Sequence, residues 1–189
     1  AHDVPLVYIA SNPVEHRDNY VRELMQHIAV DSPGRCLNNC DPQDFVQGNW
    51  MQGGWNSIVD TLPRYKFYLA FENSVADDYV TERVFHALSV GVVPVYRGAK
   101  NVREFMPADD AIIDVADFSS PRELAQYLHH LNSDDAAYQK HLRWKRDGFS
   151  DSFRELVNLG SIEPKKRLAI KLAHDCDRSC RCGGRVRGL

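Results

Sequence analysis

The run YKFYLAFENSVADDYVTERVFHALSVGVVPVY, residues 65–96, decides the fold. It reads as a buried strand, a loop, a helix and a second buried strand. The strand-like run from Arg64 to Phe71 stops abruptly at Glu72 and Asn73. A helix is predicted from about Asp78 to Val90, with Val80, Val84, Ala87 and Leu88 on its buried face and Gly91 as its stop. VVPVY, residues 92–96, has the composition of another core strand. The oddity is polar: a core strand ends in a carboxylate and an amide, and the next helix opens on Glu82 and Arg83.

Working outward, LVYIASN (6–12), a short apolar run ending in turn formers, reads as a buried strand, and PVEHRDNYVRELMQHI (13–28) is the helix after it. Tyr20, Leu24, His27 and Ile28 share one face of that helix, with Asp18 expected as its cap. Residues 32–63 are rich in Gly, Asn, Asp, Pro and Gln and read as loop with a short helix before Pro63. AIIDV (111–115) is a further core strand. SSPRELAQYLHHL (119–131) opens a helix with Ser120 as cap, Pro121 at the first position and Glu123 closing the box. Its apolar stripe is Leu124, Tyr127, Leu128 and Leu131. Ser133 is expected to cap a further helix to about Lys145, with two more helical stretches beyond.

Alternating strands and helices imply an α/β fold, a parallel sheet with crossover helices. Residues 1–150 are read as that domain, and 151–189 as a helical extension with a basic, Cys-containing tail. Such sheets bind ligands beyond the carboxyl ends of their strands.

Composition narrows the classes. Hydrophobic residues make up 43% of the chain, enough for a sizeable core, and a net charge of −3 gives no case for nucleic acid or a membrane surface. From Lys165 to Leu189, eight Lys/Arg face two Asp/Glu, read as a solvated end. The longest apolar runs are too short to cross a bilayer. No signal peptide is visible and the first residue is Ala1, so the chain is expected to be a piece of a longer protein.

Five cysteines fall in two clusters, Cys36/Cys40 and Cys176/Cys180/Cys182. With His174 the second cluster could be written as a zinc site, but its spacing departs from the paired-Cys pattern. A local disulfide in an oxidising lumen, one cysteine left over, is the preferred reading; cytosolic free thiols are the other. The triplet Asp175-Cys176-Asp177 is read as chance, not a metal ligand.

The strand-end residues are therefore the candidates. Asn12 and Arg17 follow the first strand; Asn73, Tyr79, Glu82 and Arg83 follow the next. Cations at two helix N-termini make an anion site, because free backbone amides add to the side-chain charge. A nearby Glu would accept from sugar hydroxyls, so phosphate plus ribose fits both halves. The plainer reading is a solvated Glu-Arg pair and a turn Asn. Neither GxGxxG nor GxxxxGK[ST] is present, which removes the usual dinucleotide and ATPase readings.

Residues 64–107 closely resemble the signature region of the α-1,3-fucosyltransferases, glycosyltransferase family 10: YKF, then FEN, a short gap, DYVTE and VPV. The family's DDFxSPxxLAxYLxxL pattern is matched at Ala116–Leu131, with Ala116 where an acid is usual, and its SNP…R pattern at Ser11–Arg17. The resemblance spans roughly residues 5–146. It implies a Rossmann-like domain, the C-terminal half of a GT-B glycosyltransferase, that binds GDP-fucose. Arg17 and Arg83 would neutralise the diphosphate in one shared pocket. Asn73 and Tyr79 would hold the donor, Glu82 would bond ribose or fucose hydroxyls, and Asn12 would lie near the guanine.

No metal or other cofactor is implied. The general base is a carboxylate of the amino-terminal half, outside these residues, so no catalytic residue is assigned here. Fucose would pass in α-1,3-type linkage to a glycan or glycoprotein, an N-glycan core, a lactosamine antenna or a protein hydroxyl. The compartment implied is the Golgi lumen, as a single-pass type II membrane protein anchored through an N-terminal segment not in this chain. A non-catalytic GDP-sugar-binding module is the alternative. Arg83 departs from the family's Lys; charge reversal there is expected to lower GDP affinity sharply while sparing the fold.

Overall fold

A computed structural model describes residues 4–41, 55–161 and 163. Backbone contacts divide the chain into two units, Ala1–Ser150 and a second beginning at Asp151. The cysteine cluster at 176–182, with its His and Asp neighbours, lies outside the described residues, as do residues 42–54 of the stretch read from sequence as loop.

The first unit is built on a five-stranded, all-parallel sheet in the order β2-β1-β3-β4-β5. Its strands are β1 (Leu6–Val7), β2 (Val30–Asp31), β3 (Phe67–Phe71), β4 (Val93–Arg97) and β5 (Ile113–Asp114). The helices are α1 (Glu15–Leu24), α2 (Trp55–Thr61), α3 (Glu82–Val90), α4 (Pro121–Ser133), α5 (Asp135–Lys140) and α6 (Trp144–Asp147), with α7 (Asp151–Ser161) in the second unit. From β1 the chain crosses to one side and from β3 to the other. The order therefore reverses between β1 and β3, where an open α/β sheet leaves a crevice at its carboxyl edge.

β3 and β4 are continuous apolar runs because both faces of the sheet are covered. Phe67, Leu69, Phe71, Val93 and Val95 pack with Val21 and Leu24 of α1 and Leu124 and Leu128 of α4. Tyr68, Ala70 and Tyr96 pack on the other side with Val84, Ala87 and Leu88 of α3. Gly91 ends α3 at φ 77°, a conformation a side chain would oppose.

Several elements differ from the sequence expectation. β2 was not expected: two residues carry no periodicity. Asp18 is not the cap of α1. That place falls to Val14, which has no side-chain cap bond, and the Asp18 carboxylate reaches back to accept from the Val14 amide at 3.2 Å. His27, expected on the inner face of α1, is exposed.

The second crossover helix begins at Glu82, not Asp78. Asp78 adopts φ 62°, and its amide and carboxylate are both tied to the Asn101 side chain, at 3.0 and 2.8 Å. Ser120 does cap α4 by accepting from the Glu123 amide, but Glu123 accepts from the amide and hydroxyl of Ser119. Ser133 closes α4 by bonding back to the carbonyls of His129 and His130, so Asp134 caps α5 instead. The single helix expected to Lys145 is two short ones, α5 and α6.

A cavity of about 390 Å³ opens at the β5 edge, lined in part by Arg103, Asp117, Phe118, Tyr127 and His141. His141 donates from Nδ1 to the Asp110 carbonyl at 2.7 Å, which leaves Nε2 to accept from the Tyr127 hydroxyl at 3.0 Å. Burial pushes its pKa down, outweighing the upward pull of Asp110. The unfolded chain therefore takes up this proton before the folded one. Stability should be fully present above about pH 6.5 and decline below it, by at most about 1.4 kcal/mol per pH unit from this residue. Urea unfolding of His141→Gln over that range should lack this part of the slope; an unchanged slope would assign it elsewhere.

Candidate functional site

All six side chains nominated from the sequence lie around the carboxyl edge of the sheet, where β3 is the pivot. Successive strand residues point to opposite faces. Phe71 packs on the α1 side, Glu72 reaches α3, and Asn73 returns to α1. Two consecutive residues thus receive guanidinium groups from opposite faces of the sheet.

On the α1 side, Arg17 is only 1% exposed. Its Nη1 donates to Asn73 Oδ1 at 2.6 Å and its Nη2 to the Asn12 carbonyl at 2.5 Å. The first bond spans the crevice between β1 and β3. Nε donates to Asp18 Oδ1 at 3.3 Å, and the guanidinium lies 5.6 Å from the centroid of the Tyr8 ring.

The Tyr8 hydroxyl donates to the same Asp18 oxygen at 2.7 Å. Burial works to raise the Asp18 pKa, but the Tyr8, Arg17 and Val14 donors together hold it below the ordinary carboxylate value. Burial and the bond to Asp18 raise that of Tyr8. Arg17 is therefore a fixed strut between two strand ends, shielded from solvent.

On the α3 side, Glu72 is fully buried. Its Oε1 accepts from the Thr81 amide at 2.7 Å, and its Oε2 accepts from Thr81 Oγ1 at 2.7 Å and Arg83 Nη1 at 3.1 Å. The strand-end carboxylate thus braces the start of α3, where Thr81 makes no side-chain cap bond of its own. A Cβ at Gly98 would stand 2.6 Å from Glu72 Cγ and 2.4 Å from the Tyr96 hydroxyl, so only glycine fits above this carboxylate.

Arg83 also donates Nη1 to Thr81 Oγ1 at 3.1 Å; its Nη2 and Nε have no partner among the described residues. Its side chain is 21% exposed.

The remaining candidates are more open. Tyr79 is 38% exposed. Glu82 and Asn12 are exposed, and Asn73 is half-buried with its Nδ2 unengaged. Tyr68, beneath the tip of β3, registers the whole set. Burial pushes its pKa up to about 12; Arg83 and Arg17 oppose the shift, while Glu72 and Glu82 add to it. Chemically the edge offers unengaged N–H donors, a carboxylate on the first turn of α3 and that helix's free amides, a combination suited to an anion bearing hydroxyls.

Two expectations need revision. Charge reversal at Arg83 would not spare the fold, because it would set a further carboxylate next to Glu82 and beside the wholly buried Glu72, whose cation it removes. Cys36 and Cys40 are not joined in a disulfide, and Cys36 is buried with its sulfur 4.0 Å from Arg17 Nη2. Asp77 is exposed and Asp78 is engaged with Asn101, so neither supports α3.

Sequence reasoning missed Asp18 and Tyr8 as partners of Arg17 and Thr81 as the link between Glu72 and Arg83. Thr81 was findable, as a cap-type residue just before a helix; the others depend on three-dimensional neighbours. Among the described residues no group of three or more His, Cys, Asp or Glu could hold a metal, and no helix is long and apolar enough to cross a membrane.

Residues 3–177 match the family model for glycosyltransferase family 10 (fucosyltransferase), C-terminal region. The chain is 44% identical over 158 residues to human GDP-fucose protein O-fucosyltransferase 3, covering 82% of this chain and 33% of the relative. The chicken protein of that name is 46% identical over 147 residues, covering 76% and 30%. The chain spans about a third of the length of the curated relatives it matches. A crystal structure of an α1,3-fucosyltransferase with GDP-fucose superposes with a TM-score of 0.62 at 25% identity, over 75% of this chain and 38% of that one. The same enzyme class with GDP gives 0.61 at 26%, over 75% and 38%.

Proposed function

The chain belongs to glycosyltransferase family 10, the fucosyltransferases, and from that premise we propose that it is the donor-binding half of an enzyme moving fucose from GDP-fucose to a hydroxyl on a protein. The observation that carries this reading is the pair of arginines seated on consecutive residues at the switch point, Arg17 on Asn73 and Arg83 on Glu72. The free N–H groups of Arg83 and the first amides of α3 take the diphosphate. Arg17 acts one step back: it holds Asn73 and the Asn12 carbonyl in place, and the Asn73 amide meets the donor. Tyr79 and Glu82 serve the sugar hydroxyls, and Asn12 lies toward the guanine.

In the transfer, an acceptor oxygen bonds to the anomeric carbon of fucose as the bond from that carbon to the β-phosphate oxygen breaks. The electron pair leaves with GDP, and the acceptor proton passes to a carboxylate of the amino-terminal half. Charge building on the departing diphosphate is met by Arg83 and the helix amides, preorganised donors that strengthen as the charge grows. Protein cations then fill the part a metal plays elsewhere. A secretory compartment, the Golgi lumen by family resemblance, with a type II anchor ahead of this chain, suits such an enzyme.

A protein hydroxyl as acceptor is supported by relatives at 44–46% identity that are named protein O-fucosyltransferases. An α-1,3 linkage to a sugar hydroxyl is the second reading, supported by the α1,3-fucosyltransferase structures at 25–26%. The test is to incubate the full-length protein with GDP-fucose and either serine- and threonine-bearing protein domains or lactosamine glycans, reading products by mass. Deoxyhexose on a protein side chain is the expected result. Fucose on the glycan alone would favour the second reading, GDP binding without transfer would leave a non-catalytic module, and no GDP binding would end all three.

A further inference from the structure

Arg97 is the last residue of β4 and pairs with Phe71 across the β3–β4 register. Its carbonyl accepts the Glu72 amide at 2.8 Å, so it is tied to the residue that holds Arg83. Its guanidinium lies 5.9 Å from the centroid of the Tyr20 ring, on the α1 side of the sheet that also carries Arg17. Arg17 and Arg83 each have a carboxylate, Asp18 and Glu72. Arg97 has none among the described residues, and its Nη1 is buried with no hydrogen-bond partner. The Tyr20 hydroxyl, one turn along α1 from Arg17, is buried and unpartnered as well.

Two donors without acceptors, one of them cationic, are costly to keep inside a fold, since buried charges are normally paired and buried polar groups bonded. The Tyr20 ring face offsets only part of that cost. Burial also lowers the pKa of Arg97, as expected of a charge that has lost solvent. A guanidinium is built to donate to two oxygens of a phosphate, and one already stripped of water binds such an anion with little further desolvation.

We propose that Arg97 is a third cation of the donor site, completing its hydrogen bonding on a phosphate oxygen of the nucleotide sugar, with the Tyr20 hydroxyl as its neighbouring donor. The proposal rests on the donor-binding reading above and adds a contact which that reading does not contain. It also accounts for the Tyr20 ring, which lies against the guanidinium at the strand end.

The test compares the full chain with Arg97→Met, Arg97→Lys and Tyr20→Phe by GDP titration calorimetry and by urea unfolding without nucleotide. Arg97→Met should weaken GDP binding about 10- to 100-fold, the worth of a charge-assisted hydrogen bond. Its unfolding midpoint should stay level or rise, because an unpaired buried charge is gone. Arg97→Lys should recover part of the affinity, and Tyr20→Phe should weaken GDP binding by a smaller factor with no loss of stability. A lowered midpoint in Arg97→Met, whatever its affinity, would make the guanidinium a structural plank and overturn the proposal. Wild-type binding with unchanged affinity in Arg97→Met would overturn this inference alone; a wild-type chain that binds no GDP would remove the donor reading and this contact together.

Discussion

Arg17→Met is expected to cost about 3–5 kcal/mol of unfolding free energy, the range for breaking a buried ion pair by removing one partner. Methionine keeps most of the length and apolar stem, so the loss isolates the guanidinium. Asp18 would keep only the Tyr8 hydroxyl and the Val14 amide as donors, and Asn73 Oδ1 and the Asn12 carbonyl would each lose theirs. Nothing from solvent can replace them at a side chain 1% exposed. Because a domain is stable by only about 5–15 kcal/mol in total, the change should appear as a large fall in the urea midpoint at constant slope. Replacing Arg17 and Asp18 together by apolar residues of similar size should restore much of it, since the uncompensated charge is then removed. A loss below about 1 kcal/mol for the single change would mean that Arg17 is not the strut across the β1–β3 crevice, since that is the scale of an exposed ion pair.

Arg83→Met should act on the reaction as well as on the fold. Removing one preorganised donor from a developing charge typically costs about 2.7–4 kcal/mol, or roughly 10²–10³ in turnover. Arg83 is suited to that part because a single N–H group satisfies Glu72 and Thr81 while the other donors stay open. Some stability will be lost too, as Glu72 keeps only its bonds from Thr81. Because the Glu72 carboxylate left behind is fully buried, that loss should be of the same order as the one at Arg17, and rates are compared per folded molecule. The two effects separate experimentally: initial rates of fucose transfer at saturating donor, read beside the urea midpoint. Arg83→Lys should retain much of the rate, because the compact ammonium still brings its charge to the phosphate. A rate within a few-fold of wild type for Arg83→Met would place the diphosphate elsewhere.

Much of the architecture was written in local pattern. Residues 65–96 specified strand, helix and strand, because two-sided burial demands unbroken apolar runs and one-sided burial demands helical spacing. Gly91 marked the end of α3, and Ser120-Pro121 the start of α4. The motif from Phe71 to Arg83 placed polar residues at a strand end, and from it the candidate edge was legible.

Boundaries were legible only in part. Asp18 has the composition of a cap yet lies within α1, and the helix expected from Asp78 waits for Glu82. In both places a partner from outside the helix overrides local preference: the Tyr8 hydroxyl for Asp18, the Asn101 side chain for Asp78. β2, at two residues, had no pattern to read.

What the chain's own order determined, then, was which segments are apolar and at what period, and so a parallel α/β sheet with its chemistry at one edge. The tertiary structure alone decided who meets whom there. Arg17 is 56 residues from Asn73, and Glu72 is separated from Arg83 by a loop of no regular period. Such pairings are set by the alternation of β3 and the crossovers on either side of it. A charge acquires its partner, its burial and its availability only when distant segments close around it, and no local pattern carries that information.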